Sequence, residues 1–282
     1  MQELEQLKQW IGRRETAVDH VTIPAVQRLS AMLDRDDPMP KYGDAMPVGW
    51  HSILFNRIVR HSELGPDGHP KRGDFLPPVP LPRRMFAGNR IQFIDRLLIG
   101  EEVRRESTIE NVTIKQGRNG ALVFVLLKTE IHSPRGLAIV EEQDIVYRGD
   151  PAPDATPPPP QPAPATAVWE KALTPDPVML FRYSALSYVA HRIHYDYPYV
   201  TGVEGYPDLI MIGRLTLLLA LELAREHAGL PVRSIASRNV RPMFVNRPLT
   251  VCGAPAADGR TAALWVMDNN DALALNATVE LG

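Results

Sequence analysis

A single apolar segment dominates this sequence of 282 residues: PDLIMIGRLTLLLALELAREHAG, residues Pro207–Gly229. Proline suits the first turn of a helix and glycine suits its end, so the segment predicts a helix from about Pro207 to His227. Apolar residues lie on nearly every side of that helix, so other parts of the fold must enclose it. Arg214 and Glu222 interrupt the run, and a membrane span needs ~20 nearly uninterrupted apolar residues. The segment is therefore predicted to be a buried helix, and no membrane partner is expected.

Four strand-like segments follow the helix and can cover it. Each is rich in residues that favour β-structure and is bounded by turn residues. An antiparallel sheet that curls around one buried helix is the hotdog arrangement, and residues 168–282 are predicted to adopt it. The four segments are Ile235–Phe244, Leu249–Ala254, Ala262–Met267 and Ala272–Leu281.

The N-terminal half repeats this order in a weaker form. Thr22 and Pro24 begin a short helix that continues to Leu33, and a long irregular stretch, 36–84, follows it. Beyond that stretch a four-stranded antiparallel meander is predicted. We therefore expect an α+β double hotdog, with two antiparallel sheets each wrapped around a helix and the first copy degenerate. The strands of the first copy are predicted at Ile91–Ile94, Val103–Ile114, Leu122–His132 and Leu137–Tyr147.

Eight prolines between Pro151 and Pro164 separate the two halves. Proline lacks a backbone N–H and fixes φ, so such a run favours an extended, semi-rigid path. We interpret 151–167 as a linker between a degenerate hotdog domain at 1–150 and a second hotdog domain at 168–282.

Charge and cysteine content exclude several classes of protein. The 31 basic and 33 acidic residues give a net charge of −2, so no nucleic-acid partner is expected. One cysteine rules out an internal disulfide or a thiolate-rich metal site and suits a reducing compartment. The N-terminus, MQELEQLKQW, has no apolar signal region, so a cytoplasmic location is expected. His191 and His194 lie three residues apart, but no third ligand is evident, and no metal is expected.

The segment Phe181–Asp196 reads FRYSALSYVAHRIHYD and resembles the hydratase loop of the MaoC-like, R-specific enoyl-CoA hydratases of the double-hotdog type. In that family an aromatic residue leads into serine and glycine, then aspartate, asparagine, proline, an aliphatic residue and histidine. Ser187, Ile193 and His194 keep this pattern. The departures are Tyr188 for glycine, Val189 for the catalytic aspartate, His191 for asparagine and Arg192 for proline.

Other segments are similar to one subgroup of that family. The combination of HRIHYD with EGYPDLIMIGRLT, MPVGWH and RRMFAGNRIQF resembles the 3-hydroxyacyl-thioester dehydratases and the itaconyl-CoA or mesaconyl-CoA hydratases. The resemblance implies hydration of a short, carboxylated enoyl-CoA to a 3-hydroxyacyl-CoA such as citramalyl-CoA, and a role in itaconate degradation. Coenzyme A would enter with the acyl-CoA substrate, so no separate cofactor is implied. Hotdog folds commonly pair their sheets, which makes a homodimer an expectation.

Alternatives of other kinds stay open. The chain could be a 3-hydroxyacyl-thioester dehydratase of fatty acid synthesis, which runs the same chemistry on longer chains. It could also be a non-catalytic acyl-CoA-binding subunit, because Val189 can neither accept nor donate a proton. A hotdog thioesterase would need a carboxylate near the thioester, which this loop lacks.

Adding water to an unsaturated thioester needs a base and donors for the thioester oxygen. His194 is the candidate base, because an imidazole titrates near working pH. Backbone N–H groups at the start of the enclosed helix would stabilise the thioester oxygen, and the resemblance assigns that role to Gly213. His191 is a candidate for orienting the site. With Val189 in the loop, His194 works alone, another residue substitutes for the aspartate, or the chain is inactive.

Arginines are candidates for binding the charged parts of the substrate, because a guanidinium binds phosphates and carboxylates well. The cations for the phosphates of coenzyme A are predicted in the segment SRNVRPMF, with a weaker third candidate at Arg247. Solvated surface positions are the alternative for all of these arginines. The coenzyme A candidates are Arg238 and Arg241, and the candidates for the acyl group are Arg83, Arg84, Arg90, Arg192 and Tyr195.

Overall fold

The computed structural model describes residues 2–117, 120–150 and 159–282. Within these ranges the chain contributes ten strands to one antiparallel sheet and five α-helices. The strands of the N-terminal half are β1 (Arg14–His20), β2 (Arg83–Phe93), β3 (Glu102–Gly117), β4 (Gly120–Ser133) and β5 (Gly136–Arg148). Those of the C-terminal half are β6 (Trp169–Leu173), β7 (Val232–Asn239), β8 (Leu249–Pro255), β9 (Thr261–Met267) and β10 (Leu273–Leu281). The helices are α1 (Gln2–Glu5), α2 (Ile23–Met32), α3 (Pro177–Ser187), α4 (Tyr197–Gly202) and α5 (Gly213–His227).

The strand order is β1-β3-β4-β5-β2-β7-β10-β9-β8-β6. Each half contributes five consecutive strands of that order, so the predicted double hotdog is confirmed. The two halves also pair with each other, because β2 and β7 form an antiparallel ladder from Gly88 opposite Arg238 to Gln92 opposite Ser234. The two predicted sheets are therefore joined edge to edge into one.

The strands at the two outer edges of the sheet were not predicted from the sequence. These are β1, whose residues alternate between exposed and half-buried, and the short strand β6. Both carry several charged residues and few large apolar ones, so the alternation that marks a half-buried strand is weak in them.

Helix α5 begins at Gly213, six residues later than predicted. The preceding segment, Leu209–Ile212, is buried but extended. Its backbone pairs with a second extended segment: Met211 donates to the Met243 carbonyl at 2.8 Å, and Val245 donates to the Leu209 carbonyl at 3.1 Å. This pairing also explains why β7 ends at Asn239 and does not reach Phe244.

Helix α5 is enclosed by the sheet of its own half, as its composition predicts. It packs against β6, β7, β8 and β9, and its leucines at 215, 217, 218, 221 and 223 are at most 4% exposed. One core cluster contains these leucines together with residues of α2 and of strands β2 to β5. The two halves therefore share a single hydrophobic core.

A buried carboxylate on α5 links the two halves. Glu222 is 4% exposed and accepts a hydrogen bond from the Trp50 indole N–H at 2.7 Å. It also pairs with Arg35 at 2.6 Å and with Arg225 at 2.7 Å. A buried charge is tolerated only with such partners, and two of these partners come from the N-terminal half.

The predicted linker lies partly outside the described residues, since 151–158 are not among them. The rest of it, 159–167, is irregular, and Gln161 accepts a hydrogen bond from the Leu273 N–H at 2.8 Å. In the described part of the chain, none of the helices has the length and apolar character needed to cross a membrane.

Candidate active site

A cavity of about 1250 Å³ lies between the two halves. Its walls include the hydratase-loop residues from Ser187 to His191 together with Ile193 and His194, the start of α5 and the beginning of β2. The irregular segment 54–76 of the N-terminal half contributes a further wall. The cavity therefore brings together several of the predicted site residues: Gly213, His191, His194, Arg84, Arg238 and Arg241.

His194 lies in a single 3₁₀ turn, Arg192–His194, and is buried. Its Nδ1 is 2.7 Å from the carbonyl oxygen of Ile210. A carbonyl only accepts hydrogen bonds, so Nδ1 carries the proton and Nε2 keeps a free lone pair. Burial lowers the pKa of His194 to about 4, although the bond to Ile210 acts in the opposite direction. At neutral pH the ring is therefore a neutral base with a fixed tautomer, as the proposed role requires.

Two further imidazoles lie beside His194. The ring centroid of His191 is 5.4 Å from that of His194, and the two rings are perpendicular. The ring of His69 lies 4.1 Å from His191 on its other side. Burial, His194 and Arg84 lower the pKa of His191 to about 2, and burial and Arg84 also hold the pKa of His69 well below 6.5. His69 was not among the predicted site residues, because it stands alone in an irregular stretch far from the hydratase loop.

A group of side chains beside His191 is of the types that bind metals. The ligating atoms of Asp67, His69 and His191 lie within 4.8 Å of one another. No third ligand near His191 is evident in the sequence, since Asp67 and His69 are more than 120 positions away in the chain. The positive charge of Arg84, which lowers the pKa of both histidines, opposes a cation at this position.

The start of α5 supplies backbone donors. Gly213 is its first residue, and the preceding residue, Ile212, makes no side-chain cap. The first N–H groups of a helix have no partner within the helix, and the helix dipole makes them attractive to a developing negative charge. A Cβ on Gly213 would lie 3.4 Å from Phe86 and 3.7 Å from the Asn239 amide. The space in front of this helix end is therefore narrow, and glycine keeps it open.

The backbone conformation at Tyr188 shows why the family has glycine at this position of the hydratase loop. Tyr188 stands where the family has glycine, and its φ of 52° lies in the left-handed region. Glycine adopts that region without strain, and Tyr188 adopts it at the end of α3. Val189, in place of the family aspartate, lines the cavity with an apolar side chain.

The arginines predicted to bind an acyl carboxylate differ in whether they line the cavity. Arg84 lines the cavity, and no carboxylate in the described part of the chain pairs with it. Arg83 pairs with Asp150 at 2.7 Å and donates to the Glu204 carbonyl at 3.0 Å. Neither it nor Arg90 is among the residues that line the cavity.

The other two predicted acyl-binding residues also lie outside the cavity lining. Arg192 pairs with Asp196 at 2.8 Å and donates to the Pro66 carbonyl at 2.9 Å, so it ties the loop together. The Tyr195 side chain is half exposed, and its hydroxyl donates to the Ala190 carbonyl at 3.1 Å. Neither position supports the predicted contact with an acyl group.

The predicted coenzyme A arginines remain candidates. Arg238, at the end of β7, and Arg241, just beyond it, both line the cavity, as does Arg247. Arg241 is 3.4 Å from the carboxylate of Asp268, so part of its charge is already balanced. Arg238 makes no ion pair within the described residues and is the better-placed cation.

The N-terminal half contributes a polar wall that the sequence analysis did not foresee. Glu141 is buried, yet the charge of Arg214 and hydrogen bonds from His51 and Asn89 hold its pKa well below 4.5, against the effect of burial. The Ser107 and Thr129 hydroxyls, 3.1 Å apart, line the same region of the cavity.

Known proteins resemble this chain in sequence and in fold. The family model of hydroxyacyl-thioester dehydratase type 2 matches residues 49–245. The mesaconyl-C4-CoA hydratase of Chloroflexus aurantiacus is 42% identical over 273 residues, which are 97% of each chain. A solved MaoC-like dehydratase superposes with a TM-score of 0.72 at 13% identity and covers 99% of both chains. A conserved hypothetical protein of Mycobacterium tuberculosis with a double hotdog fold superposes with a TM-score of 0.59 at 13% identity, over 99% of this chain and 98% of the other.

These matches confirm the resemblance that the loop sequence indicated. The solved structures establish the fold, and the sequence matches establish the family and its chemistry. The chain belongs to the hydroxyacyl-thioester dehydratase type 2 family of double-hotdog proteins and is a hydro-lyase that acts on an enoyl thioester.

Proposed function

We propose that this enzyme hydrates a short, carboxylated enoyl-CoA reversibly, with mesaconyl-CoA as the substrate that fits its chemistry best and citramalyl-CoA as the product. The observation that carries the proposal is the neutral imidazole of His194 with its free Nε2. His194 and the start of α5 line the same cavity. The similarity to the mesaconyl-C4-CoA hydratase supports the choice of acyl group.

The residues of the site suffice for a balanced reaction. His194 Nε2 takes a proton from water while the water oxygen bonds to the β-carbon. The electron pair of the double bond then moves toward the thioester oxygen, where the N–H groups at the start of α5 stabilise the negative charge. The imidazolium returns its proton to the α-carbon, so that one H and one OH have been added. Dehydration is the same path in reverse.

The acyl group must be conjugated with the thioester for this path to work. In mesaconyl-CoA with the thioester at C4, the double bond is conjugated and the free carboxylate is attached to the β-carbon. In an itaconyl group the double bond lies one position further from the thioester, so its π electrons do not reach the thioester oxygen directly. For this enzyme to act in itaconate degradation, it must therefore convert itaconyl-CoA. A direct assay with itaconyl-CoA tests this.

Two features of the cavity favour a carboxylated acyl group over a fatty acyl chain. Arg84 offers a guanidinium that no described carboxylate neutralises, and a charge-assisted contact of this kind is worth about 1.5–3 kcal/mol. The wall that contains Ser107 and Thr129 presents hydroxyl groups that can hydrogen-bond to a polar acyl group but gain no such contact from an alkyl chain. A dehydratase of fatty acid synthesis would need an apolar wall there.

Coenzyme A is proposed to bind with its phosphates near Arg238 and Arg241. A cytoplasmic location is proposed because the single cysteine, Cys252, is free, and a chain without disulfides suits a reducing compartment. A homodimer is proposed as well, and light scattering of the purified protein would measure its mass.

The experiment that tests the function is a substrate panel on the purified enzyme. It contains mesaconyl-C4-CoA, itaconyl-CoA, crotonyl-CoA and a long-chain enoyl-CoA, each assayed with the parent and with His194→Ala. We expect the highest kcat/KM for mesaconyl-C4-CoA and a loss of roughly 10²–10⁴-fold in kcat for the variant. A preference for the long chain would move the fatty-acid dehydratase to first place. No turnover of any substrate by the parent would support the non-catalytic subunit.

A further inference from the structure

The N-terminal half carries a turn that reaches into the active site. The turn is formed by Gly65–His69, in which the Gly65 N–H donates to the His69 carbonyl at 2.7 Å. Gly68 has a φ of +85°, and a Cβ on it would lie 1.8 Å from the Ala190 carbonyl oxygen. No other residue type fits there, because both the backbone conformation and the close approach exclude a side chain. The turn is therefore pressed directly against the hydratase loop.

Two hydrogen bonds fix the turn to that loop. The Arg192 N–H donates to the Asp67 carbonyl at 2.9 Å, and the Arg192 guanidinium donates to the Pro66 carbonyl at 2.9 Å. Since Arg192 begins the turn that carries His194, the same residue holds both segments. This gives the side chain after Gly68 a defined position in the cavity.

That side chain is the imidazole of His69, which packs on His191. The ring centroids of His69 and His191 are 4.1 Å apart with 40° between the ring planes. His191 thus lies between His69 and His194, whose ring is 5.4 Å away and perpendicular to it. All three side chains line the cavity.

The chemistry of hydration gives His191 a task. The attacking water must be held by an acceptor as well as deprotonated, because its lone pair has to point at the β-carbon. Val189, which lines the same cavity, is apolar and offers no acceptor. A neutral imidazole keeps one free lone pair and can accept a hydrogen bond from water.

We propose that His69 is a positioning residue of this hydratase: its ring packs against His191 and aims a His191 nitrogen at the water that His194 deprotonates. The proposal rests on the proposed function, since it assigns a role within the hydration step. It means that the active site is completed by the N-terminal half and is not confined to the hydratase loop.

The test replaces His69 by Ala and by Phe and measures kcat and KM with mesaconyl-C4-CoA. His69→Ala removes the packing surface, so kcat should fall roughly 10- to 100-fold, as expected for a misplaced group, while KM changes less than about threefold. His69→Phe keeps a ring of similar shape and should recover most of the lost kcat. His20→Ala, at an exposed histidine on β1, is the matched control and should leave both constants unchanged.

A second variant tests the link to His191. Val189→Asp places a carboxylate acceptor on the cavity wall, so it should restore activity to His69→Ala and to His191→Ala, but not to His194→Ala. If Val189→Asp restores activity to the first two variants but not to His194→Ala, the function lost in those two variants is that of a hydrogen-bond acceptor for water. A structural role of His69 would instead leave the double variants as inactive as the single ones.

Several outcomes would overturn the proposal. The first is a His69→Ala variant whose kcat equals that of the parent. The second is a His69→Phe variant that is folded by circular dichroism yet as slow as His69→Ala. The third is an activity of the parent that a chelator removes and Zn²⁺ restores. The last outcome would make Asp67, His69 and His191 metal ligands. A parent enzyme that hydrates no enoyl-CoA would refute the proposed function instead, which the substrate panel detects before any His69 variant is made.

Discussion

The protonation state of His194 is set by its surroundings. A buried imidazole resists protonation, and its Nδ1–H is held by a backbone carbonyl. The family loop pattern was enough to single out His194, because a histidine after an aliphatic residue is part of that pattern. The carbonyl that fixes its tautomer belongs to Ile210, sixteen residues further along the chain, and no local pattern indicates such a contact.

The lowered pKa of His194 makes a prediction about pH. The base must be neutral, so kcat/KM for crotonyl-CoA, which has no acyl carboxylate, should stay level below pH 6.5 and fall only near the pKa of about 4. Stability should fall earlier: between pH 6.5 and about 4 the unfolded chain binds a proton at this histidine and the folded chain does not. Brief assays in a pH series, with fluorescence as a check of folding, measure both. An activity limb near pH 6.5 in folded enzyme would contradict the assignment.

Arg84 and Arg90 lie on the same strand, β2, but have different surroundings. Arg84 lines the cavity, whereas Arg90 is paired with Glu142 and Asp144 outside it, both at 2.7 Å. Both were predicted to bind the acyl group, since strand residues of the same type cannot be assigned to a face without the register and the bulge between Phe86 and Gly88.

Replacing Arg84 by Ala should therefore reduce the selectivity for a carboxylated substrate. The matched pair of substrates is mesaconyl-C4-CoA and 3-methylcrotonyl-CoA, which differ only by a carboxylate in place of a methyl group. We expect the ratio of their kcat/KM values to drop roughly 10- to 150-fold in Arg84→Ala and to stay constant in Arg90→Ala. An unchanged ratio in Arg84→Ala would mean that the carboxylate of the substrate binds another cation that lines the cavity, for example Arg105 or Arg214.

At the scale of elements, α5 was predictable in its existence and burial, but its first residue was not. A helix apolar on all sides must be enclosed, and this follows from composition alone. The start at Gly213 depends on the pairing of Leu209–Ile212 with the segment around Phe244, which is a contact between distant parts of the chain. The functional consequence is direct, because the start of the helix is where the N–H donors lie.

Replacing Gly213 by Ala tests the role of this helix end. The new Cβ would make ordinary contacts with Phe86 and Asn239, and alanine favours helix more than glycine does by up to about 1 kcal/mol. The melting temperature should therefore stay level or rise, while kcat/KM falls roughly tenfold or more, since the methyl group fills the space that the thioester oxygen needs. Gly202→Ala, in open space at the end of α4, is the control. An active Gly213→Ala enzyme would contradict the oxyanion role.

At the scale of the whole molecule, the proline-rich segment predicts two hotdog domains, 1–150 and 168–282, joined by a linker. The described residues of these two halves share a core, the β2–β7 ladder and the contact of Trp50 with Glu222. Shared burial of this kind couples the free energies of unfolding of the two halves.

We therefore predict that the halves unfold together. Pulse-labelling hydrogen exchange in a urea series, read on peptides from β4 and from β9, should give the same midpoint for both strands. Two well-separated midpoints would show that the domains 1–150 and 168–282 unfold independently. The measurement uses the intact chain, so it does not depend on isolating either half.

Local sequence was enough to predict the double hotdog, the enclosed helix and the hydratase loop with its histidine. These features depend on hydrophobic periodicity and on residues close together in the chain, so neighbours carry the information. The role of His69, the cavity position of Arg84, the tautomer of His194 and the union of the two sheets depend on contacts between residues 16 to about 150 positions apart. Such contacts come from how the two halves pack, and the physical reason is that packing, unlike periodicity, leaves no regular pattern along the chain.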